Sequence, residues 1–86
     1  MENAILIIYY IQVKYSVRHR TEREVFNMLV SDLFKVLDNT QDVDIYSRKI
    51  GVYIFSGESR DITSSCLELH VNKLFANNDL LVIEVE

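Results

Sequence analysis

The pattern of apolar residues along the chain predicts four β-strands. Apolar side chains run without interruption from Ala4 to Ile11, which is typical of a strand buried on both faces. Shorter apolar or alternating runs, bounded by polar and turn-forming residues, indicate three more strands further along the chain. The predicted strands cover residues 3–13, 43–46, 50–56 and 80–85.

Two helices are predicted between these strands. Thr21 and Glu24 have the spacing of a capping box, and the apolar residues that follow recur at the spacing of one helix face. This pattern predicts a first helix over residues 22–38. Asp61 is a suitable N-cap for a second helix over residues 62–76. The helix residues predicted to face the core are Leu29, Leu33, Leu37, Leu67, Val71 and Leu74.

The order strand, helix, strand, strand, helix, strand predicts the fold. Right-handed crossovers would place the first and third strands side by side in the centre of the sheet. The prediction is an α/β (α+β) protein with a ferredoxin-like β-α-β-β-α-β sandwich. Its two helices cover one face of a four-stranded antiparallel sheet of order 4-1-3-2. Residues 1–86 form a single domain in this interpretation, and a swapped strand order or a domain-swapped dimer is the alternative.

Composition narrows the environment and the partners. A hydrophobic fraction of 49%, no proline and two glycines favour a compact domain over a disordered linker. The formal charge of −4 disfavours a surface that follows a nucleic-acid backbone over its whole extent. Cys66 is the single cysteine, so no internal disulfide forms, and we expect a cytoplasmic protein. A membrane span needs about 20 apolar residues, more than the first run supplies, so no membrane association is expected.

Basic residues are predicted to converge at one edge of the sheet. The first and third strands both end there, so the N-termini of both helices would open on that edge with unpaired N–H groups. Such a corner suits a phosphate, a carboxylate or an acidic partner surface. The alternative is a solvated basic loop neutralised by neighbouring glutamates, Glu58 among them. The corner comprises Lys14, Arg18, Arg20 and Arg60.

Catalytic and cofactor signals are sparse. His19 lies between two arginines, where a neutral imidazole would serve as a general base beside a phosphate; an exposed loop histidine without a role is the alternative. The chain has no cysteine pair, no His-x-x-x-His and no carboxylate cluster at ligand spacing, so we expect no metal site. It also has no glycine-rich phosphate loop, and we expect no cofactor.

The sheet face away from the helices is predicted to be apolar and aromatic. Because Gln12 should point away from the core, residues of the same parity on its strand should do so too. A continuous apolar patch of this kind indicates an interaction surface. Homodimerisation is one interpretation; a surface for another protein and a stacking platform for single-stranded RNA are the others. The predicted interface comprises Leu6, Ile8, Tyr10, Tyr53, Phe55 and Val82.

The predicted element order and the small size resemble two groups of proteins. The first comprises small ferredoxin-fold proteins of bacterial defence: the CRISPR adaptation nuclease subunit and the GhoS-type antitoxin endoribonuclease. The nuclease subunit carries an aspartate at the end of its first strand, whereas residues 9–13 here are Tyr-Tyr-Ile-Gln-Val. This departure from the family pattern argues against metal-dependent cleavage, and an enzyme of this kind would be a metal-independent ribonuclease.

The second group is the RNA recognition motif. Residues 48–55, Arg-Lys-Ile-Gly-Val-Tyr-Ile-Phe, are similar to its third-strand signature in their basic start, their glycine and their two alternating aromatic residues. Ile50 stands where that signature has its first aromatic residue. The resemblance implies that Tyr53 and Phe55 stack on nucleic-acid bases.

Together these observations favour a small, non-enzymatic regulatory protein that acts by binding another protein. An antitoxin, an anti-defence inhibitor such as an anti-CRISPR protein, and a small assembly subunit all fit this description. The alternative is a defence-associated nucleic-acid binder or endoribonuclease that uses the arginine-rich corner. A small-ligand sensing domain is a third possibility.

Overall fold

The computed structural model describes residues 6, 8 and 28–86 of the chain. Within residues 28–86 the protein is α+β, with two short helices, a single 3₁₀ turn and a four-stranded sheet. The elements in chain order are α1 (Val30–Phe34), β1 (Asp42–Ser47), β2 (Val52–Glu58), the 3₁₀ turn (Ser59–Asp61), α2 (Ser64–Leu67), β3 (Val71–Asn77) and β4 (Leu80–Val85).

The sheet has the order β2-β1-β4-β3 and is mixed. β1 and β4 run parallel in the centre, and the edge strands β2 and β3 pair antiparallel with them. The predicted all-antiparallel sheet of order 4-1-3-2 is therefore wrong, and so is the β-α-β-β-α-β order. Two elements cause the difference. The described residues of the predicted first strand, Leu6 and Ile8, are not part of this sheet, and β3 forms where a helix was predicted.

Leu6 and Ile8, the two described residues of the predicted first strand, have helical backbone. An apolar run of this length fits a buried strand and a buried helix equally well, because periodicity alone does not separate them. Ile8 packs against the hydrophobic core, while the side chain of Leu6 is 59% exposed. Neither residue belongs to the sheet, so their predicted place on its open face is wrong.

The core lies on one face of the sheet. Alternation along β1 and β4 turns Val43, Ile45, Leu81 and Ile83 inward, and each is fully buried. Residues in and around α1 and α2 pack on this face and belong to the same hydrophobic cluster as the strand residues. They are Met28, Val30, Leu33, Leu37, Ile62 and Cys66.

α1 lies within the predicted first helix but begins only at Val30: Met28 and Leu29, which the prediction placed in that helix, are not helical, and Leu29 forms an isolated β-bridge with His70. The N–H of Leu29 donates to the Asp32 carboxylate at 2.9 Å, which satisfies one backbone donor at the start of the helix. The helix ends at Phe34, and its Leu33 side chain is fully buried. The helix thus ends before the predicted boundary at residue 38, while residues 22–27 lie outside the described part.

The predicted second helix is wrong over most of its length. Only Ser64–Leu67 is α-helical, and Val71–Asn77 forms the edge strand β3. A β-bulge lies between Val71 and Lys73, so Asn72 is an extra residue in the ladder. Because of this extra residue, Val71 and Leu74 both face the core although they are three positions apart, and that spacing imitates a helix face.

Two turns fix the ends of the sheet. Gly51 has φ 74° in the β1–β2 turn, where its N–H donates to the Ser47 carbonyl at 2.7 Å. Asn78 has φ 58° in the two-residue β3–β4 turn, a conformation that asparagine tolerates better than most residues. Gln41, which is buried, connects this turn to β1: its Nε2 donates to the Asp79 carbonyl at 2.6 Å and to the Asp42 carbonyl at 3.0 Å.

Candidate binding face of the sheet

The sheet face opposite the core carries the candidate site. Tyr53 pairs with Tyr46, Tyr46 with Glu84, and Glu84 with Lys73, so these residues form a row across all four strands. The next residues of these strands that lie on the same face form a second row across all four strands. Its members, from β2 to β3, are Ser56, Asp44, Val82 and Phe75.

Aromatic side chains dominate two regions of this face. The rings of Tyr46 and Tyr53 meet edge to face, with centroids 5.0 Å apart and planes at 67°. Tyr53 is 60% exposed and Phe75 on the opposite edge strand is 46% exposed. These exposures leave the outer surfaces of both rings accessible to a partner.

A shallow depression of about 370 Å³ lies between the two aromatic regions. The side chain of Asn72 donates a hydrogen bond to the Glu84 carboxylate, which fixes its position in the sheet. The depression therefore contains the Glu84 carboxylate and the apolar side chain of Val82, with aromatic rings at its sides. Its lining residues are Tyr46, Tyr53, Phe75, Asn77, Val82 and Glu84.

The charge of the face is predominantly negative. Alternation along the strands places the carboxylates of Asp42, Asp44, Glu58 and Glu84 on it. Asp44 accepts a hydrogen bond from the Ser56 hydroxyl at 2.7 Å. Lys73 is the basic residue of the described strands on this face, and its Nζ lies 5.9 Å from the centroid of the Phe75 ring. That distance is within the range of a cation–π contact.

Of the six residues predicted to form the interface, the structure places two on this face, Tyr53 and Val82. Phe55 is half-buried and packs against the core, so its assignment to the open face is wrong. A bulge in β2 is the reason: Ile45 pairs with Phe55 but Tyr46 pairs with Tyr53, which breaks the expected parity. Tyr10 lies outside the described residues, and Leu6 and Ile8 are helical.

Sequence reasoning missed Tyr46, Phe75 and Glu84. Tyr46 and Glu84 alternate with buried residues on strands that were predicted, so their outward orientation could have been read from the pattern. Phe75 gave no such signal, because it lay in a segment assigned to a helix.

The predicted basic corner is described only at Arg60. Arg60 belongs to the 3₁₀ turn, and its side chain is 59% exposed. It pairs with Glu58: its Nε and its Nη2 each lie 2.8 Å from the same Oε1. This contact matches the neutralised-loop alternative at that residue. The helix that follows has four residues, Ser64–Leu67, and is not the long helix whose N-terminus was predicted to open on this corner. Lys14, Arg18, His19 and Arg20 lie outside the described residues.

Among residues 6, 8 and 28–86, no group of three or more His, Cys, Asp and Glu side chains is placed to hold a metal ion. Within the same residues, no helix has the length and apolarity needed to cross a membrane.

Comparisons of the chain with protein-family models, curated proteins and solved structures found no match.

Proposed function

We propose that the protein is a small, non-enzymatic regulatory protein that binds another protein through the open face of its sheet. The observation that carries the proposal is the pair of exposed aromatic residues, Tyr53 and Phe75, on either side of the depression. Aromatic side chains are enriched at the centres of protein–protein interfaces. An antitoxin, an anti-defence inhibitor and a small assembly subunit all act in this way.

The proposal includes a cytoplasmic location. Cys66 belongs to α2 and is a free thiol buried in the core, which fits a reducing compartment.

A nucleic-acid binder is the second candidate. Exposed Tyr53 and Phe75 offer ring faces on which bases of single-stranded RNA could stack. The surrounding carboxylates of Asp42, Asp44 and Glu84 oppose it, because they repel a phosphate backbone. Phe55, which was expected to stack beside Tyr53, faces the core instead. The charge of the face therefore favours a protein partner.

Site-specific photo-cross-linking in cells tests the proposal. A photoreactive residue at position 53 or 75 should form a covalent adduct with another protein. The matched control is position 68, where Glu68 is exposed but lies beyond α2, on the side of the core away from this face. The partner found from positions 53 and 75 is then purified, and Tyr53→Ala should weaken its binding about tenfold.

The nature of the adduct decides between the candidates. An RNA adduct, with an affinity for single-stranded RNA that falls steeply as salt increases, would establish the nucleic-acid alternative instead. An adduct with a second copy of the chain would identify a homodimer. Equal adducts from positions 53, 75 and 68, or none from the face, would overturn a binding role for it.

A further inference from the structure

Resting on the proposed function, we propose that the depression on the open face receives a cationic side chain, arginine or lysine, from the protein partner. The depression combines a fixed carboxylate, Glu84, with the rings of Tyr46, Tyr53 and Phe75 at its sides. Aromatic faces and a carboxylate attract the same kind of group, since both carry negative potential toward a cation.

The charge of the whole face points to the same partner. Asp42, Asp44, Glu58 and Glu84 supply four carboxylates, of which Glu58 is paired with Arg60. Lys73 adds one positive charge, so the face remains negative. A complementary partner is basic, because complementary potentials speed encounter and like charges suppress the wrong partners.

Lys73 shows that one of these rings already attracts a cation. Its ammonium lies 5.9 Å from the Phe75 centroid, and its strand position is directly opposite Glu84. A lysine of the chain itself therefore lies beside Phe75, one of the residues that line the depression, and competes with any incoming cation for that ring. Tyr53, on the other side, is 60% exposed and offers its ring to the partner.

The competing role of Lys73 gives the inference a distinctive consequence. If a cation enters the depression, removal of the Lys73 charge should strengthen binding. If an RNA strand or an acidic segment binds there, the same change should weaken it, because Lys73 would be its attractive charge. An apolar contact alone would leave the affinity nearly unchanged.

Fluorescence anisotropy with a short labelled peptide that alternates arginine and leucine provides the test. Matched peptides replace each arginine with glutamate or with serine. The arginine peptide should bind saturably, the serine peptide more weakly, and the glutamate peptide not at all. Amide chemical shifts of the wild-type protein, recorded with the same arginine peptide, should change most at Tyr46, Tyr53 and Glu84.

Charge-matched variants separate the site from the overall acidity of the protein. Glu84→Gln should weaken binding of the arginine peptide about threefold, whereas Glu68→Gln, at an exposed position off the face, should not. Lys73→Gln should strengthen it about threefold, whereas Lys35→Gln should leave it unchanged. Tyr53→Ala should weaken it about fivefold through loss of the cation–π contact.

Equal effects of Glu84→Gln and Glu68→Gln would overturn the inference, as would weaker binding in Lys73→Gln or chemical-shift changes away from the depression. This result is distinguishable from failure of the proposed function. Suppose that a protein partner is cross-linked from positions 53 and 75 but that the arginine peptide binds the wild type and these variants equally. That combination refutes only the inference that a cationic side chain enters the depression. The absence of any partner on the face refutes the proposed function and the inference with it.

Discussion

At the scale of single residues, some of the apolar residues predicted to face the core are fully buried and others are only half-buried. Leu33, Leu37 and Val71 were predicted to be core and are buried. Leu67 and Leu74 are half-buried and pack against the core from its margin, whereas Leu29, also predicted to be core, is half-buried and lies outside the core cluster. Val71 and Leu74 face the core from a strand and not from a helix, so the prediction of their burial was right for a reason that was wrong.

Leu33 is the residue of α1 whose loss should be most costly. It is fully buried in the cluster that covers the central strands, so Leu33→Ala should lower the free energy of unfolding by about 2–5 kcal/mol. Val36→Ala is the matched control, because Val36 lies in the turn after the same helix and is 36% exposed. Chemical denaturation of both variants measures the difference. A loss for Leu33→Ala no greater than that of Val36→Ala would show that α1 does not pack as described.

At the scale of elements, the local pattern of apolar and polar residues was sufficient to predict the bounds of the regular strands. β4 coincides with its predicted bounds, 80–85, and β1 and β2 lie within two residues of theirs. Within the sheet the failures occur at bulges, in β2 after Tyr53 and in β3 at Asn72, whereas at Leu6 and Ile8 an apolar run predicted to be a strand is helical. A bulge changes the side on which every later residue of a strand faces, and its position depends on the neighbouring strand, which local periodicity does not contain.

Gln41 joins two elements that are distant in sequence, and its removal should loosen that junction. Its side-chain amide holds the β3–β4 turn, at the Asp79 carbonyl, against the start of β1. Gln41→Ala should lower the free energy of unfolding by about 1 kcal/mol. It should also speed hydrogen exchange of the amides in the turn, whereas Thr40→Ala, at the exposed neighbouring position, should change neither. Unchanged exchange in Gln41→Ala would mean that the hydrogen bonds do not hold the turn.

At the scale of the whole molecule, the candidate site could be predicted in kind but not in composition. An exposed aromatic sheet face was expected, and Tyr53 and Val82 belong to it. Its negative charge was missed although alternation turns Asp44 and Glu84 outward, and the neighbours of these carboxylates could not be predicted, because the order of the strands was predicted incorrectly. Only the observed arrangement, with β1 beside β4, brings Asp44 next to Val82 and Tyr46 next to Glu84.

That charge changes the expected oligomeric state. The apolar pattern of the sequence favoured a homodimer, but two copies stacked through this face would bring together eight carboxylates, Asp42, Asp44, Glu58 and Glu84 from each. Stacked sheets lie about 10 Å apart, which is close to the screening length at 0.1 M salt, so the repulsion is only partly screened. We therefore expect the isolated chain to sediment as a monomer of 10.1 kDa at that salt concentration.

The salt dependence of association tests this expectation. At 1 M salt the screening length falls to about 3 Å, so any self-association through the face should increase as salt is added. The double variant Asp42→Asn with Asp44→Asn removes two of the repelling charges and should associate at lower salt than the wild type. Asp38→Asn with Glu68→Gln changes the net charge equally at exposed positions off the face and should behave like the wild type. Sedimentation velocity across the salt series measures all three proteins. A dimer that forms at low salt and dissociates as salt rises would contradict the argument, because it would require attractive ion pairs between two copies of a face that carries four carboxylates and one lysine.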